Sequence, residues 1–288
     1  MSKQYSLAYL TVNGCSPPEM TYIAARAGYD FISLRLIPMG VAGETPYLPD
    51  DKAMISKTKA ALKETGVKVL DLELARIVEE VDPQSYVPAM EVMAELGAQH
   101  VISSAWTRRR DDRNFIVDSY AEICDLAKPF GLTVNLEFPT FSRLTNLQEA
   151  ADIVGAADRS NGGVLIDTLY FHYSKVDADE LLTLPGEWFN FLHICDVSDE
   201  IPDSKEGMIK VARDERLYIG EGCIDFPSVI KRLPHLPFSI ELPNAARMKH
   251  YGHEEHARRC LETAKQHLDH IETRPDHFCQ DHTPSLVE

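Results

Sequence analysis

At 288 residues, with 44% hydrophobic and 26% charged residues, the chain has the length of one large α/β domain and the composition of a folded protein, which excludes a largely disordered polypeptide. A formal net charge of −16 opposes association with nucleic acid or anionic membrane surfaces, since an acidic surface offers no counterion release to reward the contact. No run approaches a membrane span or a signal-peptide core, and six cysteines without a CxxC pair read as reduced thiols, so a cytoplasmic protein is expected.

In chain order, short apolar, β-branched runs alternate with longer amphipathic stretches, eight times over. The expected strands are YSLAYLTV from Tyr5, DFISLRL from Asp30, VKVLDLEL from Val67, HVISSAW from His100, LTVNLEF from Leu132, GVLIDTL from Gly163, WFNFLHICD from Trp188 and FSIEL from Phe238. Their starts lie about 25 to 50 residues apart, room for one strand, one helix and two loops. Helix boundaries fall between them: Pro17 to Gly28, Asp50 to Gly66, Asp82 to Gly97, Asn114 to Gly131, Asn146 as the cap of NLQEAADIVGAA, and a last helix at about His253 to His270. The charged stretch from Val197 to Gly222 reads as a long loop of the kind that covers a site.

Eight βα units in order predict a (β/α)8 TIM barrel as a single domain over residues 1–270, with 271–288 a C-terminal arm or disordered tail. An open doubly wound sheet is the alternative, but VNGCSPP after the first strand is not its glycine-rich phosphate turn.

In such a barrel chemistry sits at the C-terminal strand ends. Glu137 in NLEF, Asp167 in LIDT, His193 in FLHI and Glu241 in SIEL each come late in an apolar run, on four consecutive strands. Any one of them alone reads more readily as a hydrogen-bonded structural group. Three carboxylates converging without a cation would repel until some were neutral, so the four together point to a divalent metal site. The oxygen-rich set with one imidazole favours Mn2+ first, with Mg2+, Co2+ or Zn2+ as alternatives. A cation so held suits a vicinal hydroxycarbonyl substrate and the negative charge of an enediolate.

With NLEF, LIDT, LHICD, RLYIGEG and SIEL in place, the chain resembles the xylose isomerase-like TIM barrel superfamily of sugar phosphate isomerases and epimerases over about Tyr5 to Leu268. The resemblance implies that Glu137, Asp167, His193 and Glu241 are the metal ligands and that Glu137 and Glu241 are also the catalytic acid/base pair. It implies a substrate contact for Arg216, and for Asp196 support of His193 or of the following loop. Many relatives carry a histidine three residues after the strand-six aspartate; here that position is Tyr170, with His172 two residues later, and either is a candidate substrate contact. Glu73, Trp106 and Arg108, the last in the TRRRDDR cluster, are further substrate-binding candidates, each with a plain reading as rim ion pair, packing or solvated surface. His250, His253 and His256 are read as decorating the last helix.

The function expected is a metal-dependent isomerase or epimerase acting on a small sugar-like ketone, ketose or keto acid through an enediolate, with a dehydratase or decarboxylase on the same site as the alternative. A homodimer or homotetramer is expected. Phosphoester hydrolysis would need further strand-end histidines and a basic face that this sequence lacks.

Overall fold

In the computed structural model, which describes residues 3–40, 44–108, 112–233 and 235–271, eight strands pair in parallel with their sequence neighbours and close, the last against the first. The strands are β1 (Tyr5–Leu7), β2 (Phe31–Arg35), β3 (Lys68–Ile77), β4 (His100–Ala105), β5 (Thr133–Glu137), β6 (Gly162–Asp167), β7 (Leu192–Ile194) and β8 (Phe238–Ile240). The expected barrel is what forms. The expected strands at Tyr5 and Trp188 are shorter than their apolar runs, because short 3-10 turns take up Tyr9–Val12 and Gly186–Trp188. Arg109, Arg110 and residues 272–288 lie outside the described residues.

Local chemistry starts and stops the helices around the barrel. For α1 (Pro17–Ala27), Ser16 and Glu19 make a reciprocal capping box, and Gly28, at φ 92°, supplies the left-handed residue that ends it. Asp51 caps α2 (Lys52–Thr65) by accepting from the Met54 amide at 2.9 Å. Next come α3 (Val87–Glu95), α4 (Arg113–Ala127) and α5 (Leu147–Ala157), the last capped by the Asn146 side chain as expected. Two short helices, for which the sequence suggested no bounds, complete the set: α6 (Thr168–Tyr173) after β6 and α8 (Phe226–Ile230) before β8. The expected loop from Val197 to Gly222 also holds a helix, α7 (Lys205–Asp214). The closing helix, α9 (Ala245–Leu268), starts earlier than expected and is kinked at Gly252. No helix among the described residues is long and apolar enough to cross a membrane.

Nearly every strand residue is buried, as expected of parallel strands covered on both faces. The main core lies between strands and helices, while Phe31, Leu70, Leu74, Ile102, Leu165 and Phe191 form a separate apolar cluster. Side chains two apart on a strand share a face, so Leu165 lies on the same side as Asp167 and Phe191 on the same side as His193. The Phe191 and His193 rings meet edge to face at 5.7 Å. This cluster is therefore the floor beneath the polar strand ends.

Two histidines belong to the packing rather than to the surface. His256 is fully buried, with Nδ1 3.0 Å from the Tyr218 hydroxyl and Nε2 3.0 Å from the Leu242 carbonyl, a correction to its reading as a surface residue. His100 stacks on Phe191 at 5.2 Å. Burial lowers both imidazoles from 6.5 to about 4. Both stay neutral in the fold while the unfolded chain takes up protons below about pH 6.5, so stability falls as pH drops from about 6.5 towards 4. Each contributes on the order of 3 kcal/mol across that window. Urea midpoints at pH 7.5 and pH 5 should differ, and His100→Asn with His256→Gln should flatten the difference. An equally steep pH dependence in that double variant would refute the attribution.

Candidate metal centre and active site

The pleat aims the four strand-end groups inward together. Glu137 ends β5, Asp167 ends β6, His193 lies in β7 opposite Asp167, and Glu241 follows β8. Each offers one donor atom within 4.8 Å of all the others, and all four residues are buried. His193 Nδ1 lies 3.4 Å from Glu137 Oε1 and 3.5 Å from Glu241 Oε2. Both ring nitrogens of His193, and Glu137 Oε1, are buried without a hydrogen-bond partner. Buried polar atoms are rarely left so, and donors on opposite sides of an ion bound at about 2.1 Å sit about 4.2 Å apart, so the set fits a divalent cation.

Charge is distributed unevenly over the set. Burial pushes Glu137 upward and, despite His193, keeps it above the ordinary carboxylate range. Burial would do the same to Glu241, but Arg216 and His193 outweigh it and hold that carboxyl well below the range. Asp167 is raised, again chiefly by burial, against the pull of Arg216.

Arg216 is the counterweight. Its side chain is 1% exposed, and its guanidinium reaches Asp167 Oδ2 at 2.7 Å and Glu241 Oε2 at 2.8 Å while also donating to the Ala212 and Glu241 carbonyls. Its donors are thus spent on protein acceptors beneath the carboxylates. This corrects the implied substrate contact: Arg216 positions two of the proposed ligands.

Above the cluster lies a cavity of about 290 Å3 whose lining includes Glu73, Trp106, Glu137, Tyr170, His193 and Glu241. Tyr170 packs its ring against Phe141 and brings its hydroxyl to 3.5 Å from Arg216. Trp106 is fixed by a 2.7 Å bond from Nε1 to the Ser104 hydroxyl. Glu73 is buried and paired with Arg35 at 2.8 Å; burial, opposed by Arg35, raises its carboxyl.

Two candidates lie elsewhere. Arg108 points outward, 82% exposed and 3.3 Å from Glu80, and His172 faces a different cavity beside Cys223. His172 and Tyr170 are two residues apart on α6, which turns them about 200° from each other, so only one can face the barrel mouth. Asp196 supports the loop and not His193: its carboxylate accepts from the amides of Val197, Gly220, Gly222 and Ile224 at 2.9 to 3.1 Å.

Sequence reading missed Arg35 and Asp71. Arg35 lines the cavity and its Nε has no hydrogen-bond partner. Asp71 is fully buried below, takes a hydrogen bond from the Ser33 hydroxyl, and is raised by burial to about 8. The available signal was the alternation in FISLR and DLE, which puts Arg35, Asp71 and Glu73 two apart on inward-facing positions.

Comparison with known proteins follows the same lines. Residues 22–267 match the family model described as "Xylose isomerase-like TIM barrel". An inosose isomerase of Bacillus subtilis (strain 168) is 26% identical over 157 residues, covering 52% of this chain and 54% of that protein. A 3-dehydroshikimate dehydratase of Pseudomonas aeruginosa is 25% identical over 239 residues, covering 77% of this chain and 34% of that protein. The chain thus spans about half the length of the inosose isomerase it matches and about a third of the dehydratase. A crystal structure of IOLI protein with a binding zinc atom superposes with a TM-score of 0.74 at 22% identity, covering 91% of this chain and 97% of that one, and shares its fold. A match over residues 22–267, together with a closed eight-strand barrel, shows that this chain belongs to the xylose isomerase-like TIM barrel family.

Proposed function

We infer that the protein is a divalent-metal-dependent isomerase or epimerase of a small polyhydroxylated carbonyl compound. The observation that carries this reading is the placement of Glu137 and Glu241 on the wall of one cavity, beside donors that fit a cation. Moving a proton between carbons, or between faces of one carbon, needs one group that takes a proton and another that gives one back. Glu137 and Glu241 are the two carboxylates placed to do this, one abstracting next to the carbonyl and the other returning the proton. The roles exchange for the reverse reaction. A bound divalent ion, for which we propose Mn2+, would polarise the carbonyl and offset the negative charge that develops as the proton leaves. Glu137, Asp167, His193 and Glu241 would hold it.

The cavity, about 290 Å3, suits a single sugar-sized molecule, with Trp106 and Phe141 offering apolar faces and Tyr170 a hydroxyl. The free thiols of Cys15, Cys124, Cys195, Cys223 and Cys260 support a reducing, cytoplasmic setting.

Arg35 favours a second reading. A guanidinium on the cavity wall is suited to a substrate carboxylate, and a keto acid whose β-substituent leaves would make the same site a lyase.

One experiment separates the two. Chelator-stripped protein reloaded with Mn2+ is incubated in D2O with ketoses, inososes and keto acids. Isomerisation puts carbon-bound deuterium into a product isomeric with its substrate; a product lighter by water or CO2 would replace that reading with the lyase. Stripping should abolish turnover and Mn2+ should restore it, and unchanged turnover after stripping would rule out both.

A further inference from the structure

A second set of metal-type donors lies outside the barrel mouth. His172 is on α6, Asp199 follows β7, and Cys223 precedes α8. Each of the three offers a donor atom within 4.8 Å of the other two, and His172 Nε2 lies 3.5 Å from Cys223 Sγ. We propose that His172, Asp199 and Cys223 form a second metal site, selective for Zn2+ or a similar borderline ion and separate from the strand-end cluster. The proposal does not rest on the isomerase reading.

The spacing carries the argument. A tetrahedral Zn2+ holding sulfur at about 2.3 Å and nitrogen at about 2.05 Å places those two atoms about 3.6 Å apart, close to the 3.5 Å seen here. The donor types agree: thiolate, imidazole and carboxylate select zinc over Mg2+ or Mn2+, whereas the strand-end set has no sulfur. Its backbone is also held in advance. The Asp196 carboxylate gathers the amides of Gly220, Gly222 and Ile224, and the Cys223 amide donates to the Val197 carbonyl at 3.0 Å. At Gly222 a Cβ would collide with the Val197 carbonyl and the Asp196 carboxylate, so glycine is what lets Cys223 approach. His172 and Asp199 also line a cavity of about 630 Å3, which gives access to a water or small anion as fourth ligand. On binding, the Cys223 thiol gives up its proton to solvent and the thiolate bonds the ion; no oxidation is involved. An ion there would tie α6, the segment after β7 and the segment before α8 together.

Cobalt distinguishes the two sites, because only a thiolate ligand produces an intense sulfur-to-cobalt charge-transfer band in the near ultraviolet. The stripped full-length chain titrated with Co2+ should develop that band, and added Zn2+ should abolish it. Cys223→Ser should remove it, and His172→Ala should weaken cobalt binding at this site by roughly tenfold or more, as expected for loss of one of three ligands. Saturation without the band, or a band that survives Cys223→Ser, would overturn the proposal. Alkylation supplies a readout on the unaltered protein: Cys223 is exposed, whereas Cys15, Cys124, Cys195 and Cys260 are buried. Peptide mapping should show Zn2+ slowing iodoacetamide labelling of Cys223 by roughly tenfold or more, since bound thiolate is withheld from attack. An unchanged labelling rate at saturating Zn2+ would equally sink it.

Discussion

Replacing Arg216 with leucine is expected to cost about 3 to 5 kcal/mol of stability in metal-free protein, the magnitude typical of removing one partner from a buried ion pair. The guanidinium touches Asp167 and Glu241 at 2.7 and 2.8 Å and is almost wholly enclosed, so leucine would leave two buried carboxylates facing each other without their cation. The Ala212 and Glu241 carbonyls would lose a donor as well. Arg216→Lys should fall between, since an ammonium keeps the charge but cannot fork between two acids. Urea unfolding with and without saturating Mn2+ checks this. The leucine variant should recover part of its loss on adding metal, because the added cation offsets the same repulsion. A loss below about 1 kcal/mol in the stripped protein would mean that the arginine is not what compensates these acids.

Glu137→Gln and Glu241→Gln are each expected to lower kcat by roughly 10²- to 10⁴-fold at saturating metal, the range for removing a positioned acid or base. Amide for carboxylate keeps the shape, so circular dichroism should be unchanged. The informative comparison is isotope exchange. A variant that keeps the abstracting carboxylate should wash deuterium from D2O into recovered substrate while forming little product, and the other should do neither. Full turnover in either variant would end its assignment as acid or base. Trp106→Ala should act differently, raising KM more than it lowers kcat, because a ring against the substrate contributes to binding rather than to proton transfer.

The strand ends were legible for a physical reason. Parallel strands covered on both faces read as continuous apolar runs, so Glu137, Asp167, His193 and Glu241 stood out as polar interruptions that needed a common partner. Arg35 ended an equally apolar run but passed for a routine charge. Its significance depends on the β2–β3 register, which sets it opposite Glu73, and no local pattern states which residues pair across strands. Arg216 was legible as a member of the site and misread in role, since sequence does not say whether a guanidinium points at open space or at carboxylates already present. Helix α7 was hidden by its setting: it fully buries only Ala212, with Met208, Ile209 and Val211 half-buried against the core, and it lies inside a charged stretch long enough to read as a loop.

Asp167 illustrates how few atoms serve several structural ends. Oδ1 accepts from the Leu169 amide at the start of α6 at 2.8 Å, and Oδ2 takes the Arg216 guanidinium. Substituting it would unfasten a helix and free a buried arginine along with any loss of metal, so an inactive Asp167 variant says little about coordination. Glu137, whose Oε1 has no hydrogen-bond partner to lose, is the proposed ligand whose replacement would read most directly as a change in ion binding.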